Sequence, residues 1–170
     1  MNGAALKSFQ TSNANPDLNR VTVLVVSSEK RDRAQLRQIL GSTNWKVYEA
    51  CSCSEAISRI HDHAVAVLVC ASELSDGTWQ SLMDALRTLQ LPPMIIVAAD
   101  LDDGLWTDVL QRGAYDFVCK PFSQQEVTRI ISLAWLYWRE TVAPSGVAKS
   151  QFRAASVLLT TLKDRGDATV

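Results

Sequence analysis

Residues 21–41 read VTVLVVSSEKRDRAQLRQILG. The opening six, Val21–Val26, are almost entirely β-branched or aliphatic, which suits a strand covered on both faces. Behind them Ala34, Leu36, Ile39 and Leu40 follow helical spacing, and Gly41 is placed to end that helix as its C′ residue. A buried strand followed by an amphipathic helix is half of a parallel crossover, because parallel neighbours need a connection of about a dozen residues or more.

Outward from this stretch the unit recurs. Val65–Ala71 (VAVLVCA), Met94–Ala98 (MIIVA) and Ala114–Cys119 (AYDFVC) are further apolar runs, while Trp45–Ala50 (WKVYEA) alternates and reads as a half-covered edge strand. Between them lie helical stripes. Ala56, Ile57 and Ile60 follow Ser52 and Glu55 in capping-box spacing, and Leu82, Met83, Leu86 and Leu89 precede Pro92-Pro93. Leu105, Val109 and Leu110 run from the acidic Asp102-Asp103 turn to Gly113. Val127, Ile130, Ile131, Ala134 and Trp138 follow Ser123, an expected cap with Glu126 three residues on. Five alternations predict a doubly wound α/β domain over residues 20–141, its five-stranded parallel sheet connected by right-handed crossovers.

Residues 1–19 are rich in Asn, Ser, Ala and Gln and are expected to be a disordered lead-in. Residues 142–170 read as a linker at Pro144-Ser145-Gly146 and an additional C-terminal amphipathic helix, with Ala148, Phe152, Ala155, Leu159 and Leu162 on one stripe. That stripe suits either folding back onto its own domain or pairing with another chain.

The whole chain has 170 residues, of which 47% are hydrophobic, enough for a core without disulfides or a structural metal. With 17 basic and 18 acidic residues the net charge is −1, which argues against a broadly basic nucleic-acid surface. No apolar run reaches the roughly 18 residues of a membrane span, and the start lacks a secretory signal's apolar stretch. Cys51, Cys53, Cys70 and Cys119 read as reduced core thiols of a cytoplasmic protein.

Ligands of an open parallel sheet bind beyond the C-terminal strand ends. There stand Ser27-Ser28-Glu29, then Ala71-Ser72-Glu73-Leu74-Ser75-Asp76-Gly77, then Ala98-Ala99-Asp100, and finally Lys120-Pro121-Phe122. The segment GAYDFVCKPF (113–122), with ELSDGTW (73–79) and PPMIIVAA (92–99), resembles the response-regulator receiver domain of two-component signalling, over residues of about 20–140. The resemblance implies a flavodoxin-like sheet of order 2-1-3-4-5, a lysine at Lys120 and a cis bond before Pro121. It also implies an acidic pair holding Mg²⁺ at the first strand end, a phosphoacceptor aspartate at the third, and a Thr or Ser at the fourth. Carried over by position, these fall on Ser27 and Ser28, on Ala71 and on Ala98. Only Lys120 keeps its type.

A methyl group cannot accept a phosphoryl group, and serine hydroxyls are poor ligands for a hard cation beside carboxylates. The chain is therefore expected to be a non-phosphorylatable pseudo-receiver with no catalytic residues, no metal and no cofactor. Its degenerate pocket comprises Ser27, Ser28, Ala71, Glu73, Ala98 and Lys120. Glu29 reads as a first-turn residue, Asp76 as a turn former beside Gly77, and Lys120 is expected to reach water, Glu73 or Glu29. A functioning receiver with an atypical acceptor and a small-ligand enzyme on the same fold are the alternatives.

Other constellations are weaker. Cys51 and Cys53 with His61 and His63 have poor zinc spacing. Lys30, Arg31, Arg33 and Arg37 form a basic, solvated helix face. Leu133, Trp135, Leu136, Tyr137 and Trp138 crowd the fifth helix beyond what one stripe can bury. Together with Phe117 they form an expected interaction face for a signalling partner or a second copy, with nucleic acid and membrane excluded as partners.

Overall fold

Three of the five main strands are buried almost throughout because helices cover the sheet on both sides. In the computed structural model, which describes residues 20–89, 93–100 and 103–142, strand and helix alternate except for a two-stranded ribbon after the third strand. They are β1 (Thr22–Val26), α1 (Lys30–Gly41), β2 (Lys46–Ala50), α2 (Cys53–Asp62) and β3 (Val67–Ala71). A short ribbon, β4 (Glu73–Leu74) and β5 (Gly77–Thr78), precedes α3 (Trp79–Leu86). Then come β6 (Met94–Ala99), α4 (Asp103–Gln111), β7 (Asp116–Cys119) and α5 (Gln124–Thr141). The main sheet is parallel with order β2-β1-β3-β6-β7, the flavodoxin-like arrangement, and the β4–β5 ribbon is antiparallel and separate.

Alternate strand residues feed two cores. Val23, Val25, Val67, Val69 and Ile96 meet Leu36, Leu40, Val127, Ile131 and Trp138 of α1 and α5. Leu24, Val26, Leu68, Cys70 and Val97 meet Ala56, Trp79, Leu82, Leu86 and Val109 of α2, α3 and α4. Each Val, Leu or Ile among them, fully buried, contributes about 1.5–3 kcal/mol relative to exposure. The edge strand β2 is only half-buried over Lys46–Glu49, as its alternation predicts.

Helix ends depart from the sequence reading in detail. Gly41 is the last residue of α1 rather than a left-handed C′ residue, and Ser42 caps the helix in right-handed geometry. The left-handed position falls instead on Gly113, at φ 94°, just past α4. Ser52 accepts from the Glu55 amide (3.1 Å), but the Glu55 carboxylate turns to the Cys51 amide (2.9 Å), so the box closes one residue early. Ser123 occupies the N-cap of α5 without a side-chain cap bond. A reciprocal box instead forms at α3 between Thr78 and Ser81. The cysteines are free thiols, as expected of reduced residues, but only Cys70 is buried: Cys53 and Cys119 are half-buried, and Cys51 is exposed because it lies past the end of β2. Residues 1–19 and 143–170, with the expected lead-in and most of the expected linker and extra helix, lie outside the described residues.

Candidate functional site

Parallel register brings the ends of β1, β3, β6 and β7 to one rim. Ala71 is opposite Ala98, Cys70 is opposite both Val26 and Val97, and Ala99 is opposite Cys119. The rim is extended by the Ser72 amide on the Ala98 carbonyl (3.2 Å) and the Lys120 amide on the Ala99 carbonyl (3.0 Å). Ser27, Ser28, Ala71, Ala98 and Lys120 therefore stand at neighbouring strand ends. The Lys120-Pro121 peptide bond is cis.

Lys120 forms an ion pair with Asp32, its Nζ 2.5 Å from Oδ2, and the two side chains are 21% and 8% exposed. Ser27 Oγ donates to the same carboxylate oxygen (3.2 Å) and accepts the Glu29 amide (3.1 Å). The Ser27 carbonyl takes a guanidinium N–H from Arg33 (2.5 Å). Burial is the largest single influence on the Lys120 ammonium and pulls its pKa down. The hydrogen bond and charge of Asp32, with the charges of Glu29 and Asp100, outweigh it and leave the pKa above the ordinary lysine value.

Asp32 is the residue that sequence reasoning missed. A signal existed: Asp32, Leu36, Ile39 and Leu40 are the buried residues of α1, so the acid continues the core-facing stripe by one turn. Ala34, assigned to that stripe from spacing, is exposed. An acid on a buried stripe needs a cation, and the only described lysine at these strand ends is Lys120.

The other expected pocket residues have different tasks. Ser28 Oγ donates to the Cys51 carbonyl (3.2 Å) and accepts the Ser75 amide (2.8 Å), joining the end of β2 to the ribbon. Glu73 is exposed on β4, paired with Thr78 across the ribbon; it is Asp32, not Glu73, that reaches Lys120. Glu29 is the N-cap of α1 rather than part of its first turn. Asp76 exceeds a turn-forming role, because its carboxylate accepts the Cys53 amide (2.7 Å), the Ser54 amide (3.0 Å) and the Ser54 hydroxyl (2.9 Å). It caps α2 across the rim, and those amides hold its pKa down at about 2. Three stitches thus close the rim: Ser27–Asp32–Lys120, Cys51–Ser28–Ser75 and Asp76–α2.

For a hard divalent cation this donor set is unsuitable. One carboxylate is present at the centre, already matched by an ammonium, and the serine hydroxyls are engaged by protein groups. Among the described residues no group of three or more His, Cys, Asp or Glu is placed to hold a metal. Cys53 and His61 lie at opposite ends of α2, and His63 stacks on Tyr48 with ring centroids 4.0 Å apart. The basic face of α1 is partly tied down, for Arg37 forms a bidentate pair with Glu49 on β2.

Residues 23–132 match the family described as response regulator receiver domain. The chain belongs to that family. Its receiver domain is 25% identical over 127 residues to the KDP operon transcriptional regulatory protein KdpE of Escherichia coli (strain K12), covering 75% of this chain and 56% of that protein. The chain thus spans about half the length of this curated relative. In fold, the receiver is similar to the chemotaxis response regulator CheY4 of Vibrio cholerae, with TM-score 0.61, 17% identity and coverage of 68% and 98% of the two chains. It is also similar to the beryllofluoride-activated NtrC4 receiver domain dimer, with TM-score 0.62, 24% identity and coverage of 69% and 98%. Receiver domains are signalling modules of two-component systems rather than metabolic enzymes, and they work by contact with signalling proteins.

The expected interaction residues do not form one face. Trp138 is 2% exposed and sits in the α1–α5 core, because the helical turn returns it to the stripe of Val127, Ile131 and Ala134. Trp135 packs against the same core, under the Arg139 guanidinium 4.9 Å from its ring. Phe117 packs on the opposite core, and Tyr137 meets Tyr115 at 5.7 Å between ring centroids. Leu133 and Leu136 alone of the six point outward, at 45% and 41% exposed. Trp106 and Leu110 of α4 are the other large exposed apolar residues described. No described helix is long and apolar enough to cross a membrane.

Proposed function

We propose that this receiver domain signals without aspartyl phosphorylation, as a cytoplasmic pseudo-receiver that acts through protein–protein contact or self-association. Neither Mg²⁺, nucleic acid nor membrane takes part. The observation that carries the reading is the rim itself: Ala71 ends β3, and the lysine across from it is committed to Asp32. In the family pattern carried over above, an aspartate stands at Ala71, a hydroxyl at Ala98 senses the phosphoryl group, and Lys120 pairs with it. Two of those three groups are methyls here, so neither acceptor nor sensor is available. Asp32 supplies from within the fold the anion that a phosphoryl group would bring from outside. A partner then reads a surface whose state is set by binding, not by an acyl phosphate.

The chain is incubated with acetyl phosphate and Mg²⁺ and weighed intact. Unchanged mass is expected. A stoichiometric phosphoryl adduct overturns the reading, and its loss in Asp32→Asn would identify the atypical acceptor.

A further inference from the structure

Leu133, Leu136 and Glu140 fall three and four residues apart on α5, on the side away from Val127, Ile131, Ala134 and Trp138. Two leucines at this level of exposure on a helix of 18 residues form a narrow apolar strip. That strip is far smaller than the roughly 800 Å² per partner of a stable two-chain interface. It does match the width of one amphipathic helix, and a sequence of that spacing follows. Six residues, 142–147, containing Pro144-Ser145-Gly146, separate Thr141 from the start of the stripe Ala148, Phe152, Ala155, Leu159 and Leu162. Helix–helix connections of about 2–8 residues place their helices side by side and antiparallel.

We infer that the segment 148–162 docks in cis as an antiparallel helix on the Leu133–Leu136 strip of α5. Counting from the turn fixes the register. Leu136 lies five residues before Thr141 and Phe152 four residues after Ala148, so at about 1.5 Å per residue their levels agree within about 2 Å. Leu133 and Ala155, eight and seven residues from the turn, agree equally well, and Glu140 and Lys149 stand one residue from it on either side. The short tether favours this occupant over a second copy, since it holds the segment at an effective concentration of order millimolar. Trp106 and Leu110 belong to α4, on the opposite face of the sheet, and stay outside the footprint. The inference rests on α5 and the sequence after it and is independent of the phosphorylation reading, which the mass measurement tests separately.

Hydrogen–deuterium exchange on the full chain, over a wide dilution range with mass followed by light scattering, tests it. Amides of 148–162 are expected to exchange at least about tenfold more slowly than an unstructured chain, independently of concentration and as a monomer. Leu133→Asp/Leu136→Asp and, separately, Phe152→Asp/Leu159→Asp should each abolish that protection, while β1, β3 and β6 keep theirs as the folding control. Unprotected 148–162 in the parent chain overturns the inference. So does protection that survives Leu133→Asp/Leu136→Asp, or that fades on dilution as a dimer becomes a monomer.

Discussion

At the residue scale the rim is held by charges that neutralise each other at short range. Lys120 and Asp32 are removed from most of the solvent, so their pairing is favourable only while both are present. Asp32→Ala leaves an ammonium facing Ser27 and is expected to cost about 3 kcal/mol, read as a lowered urea midpoint. Asp32→Leu with Lys120→Met should recover much of that loss, because no buried charge remains. A single substitution that leaves the midpoint in place would show the pair to be ornamental. With its pKa raised, Lys120 contributes fully below the ordinary lysine value of 10.5 and is lost only as pH climbs through the raised one. Asp76 behaves oppositely. Its carboxyl is lowered from 3.8 to about 2, so its contribution is complete above about pH 4 and disappears as pH falls through 2. The difference in melting temperature between the parent chain and Asp76→Ala should accordingly be constant near neutrality and shrink between pH 4 and 2. A gap that stays the same down to pH 2 would remove the capping carboxylate from the account.

Elements show the same economy of placement. Helix α5 carries more large apolar side chains than one stripe can hold, and the structure divides them by angle rather than by type. Trp138 is a core residue and Leu136, two positions earlier, faces outward. Trp138→Ala is expected to destabilise by about 3–5 kcal/mol, the cost of a large core cavity. Leu136→Ala, whose side chain lies outside that core, should cost about 1 kcal/mol or less in chemical denaturation. Equal losses would contradict the division. The helix stripes and the edge character of β2 were legible in the sequence, since periodicity records which side meets the sheet. Caps were less so: Asp76 closes α2 from 22 positions beyond Ser54, a distance no local pattern encodes.

For the whole molecule, the expected consequence of a stitched rim is insensitivity to Mg²⁺. A cation stabilises a fold only by binding the native state more tightly than the unfolded one. With Asp32 neutralised by Lys120 and Asp76 engaged by the amides of α2, the rim is expected to offer no such preference, and millimolar Mg²⁺ to leave the melting temperature unchanged. A reproducible rise with saturation behaviour would place a metal at these strand ends and reopen phosphoryl transfer. The relation to KdpE, of which the chain covers 56%, concerns the receiver part alone.

Layer order, strand number, the parallel sheet and the positions of the rim residues were determined by the sequence itself, because burial on two faces forces apolar runs and crossovers force helices between them. The methyl at Ala71 was equally plain. Which acid would answer Lys120 was decided only in three dimensions. Glu73 is close to Ala71 along the chain yet turns outward on a ribbon, whereas Asp32 is remote in sequence and inward on a helix. Electrostatic partnership depends on distance through space and on exclusion of water, and neither is a property of sequence separation. The same holds for α5, where rotation about the helix axis, not composition, separates a buried tryptophan from an open leucine.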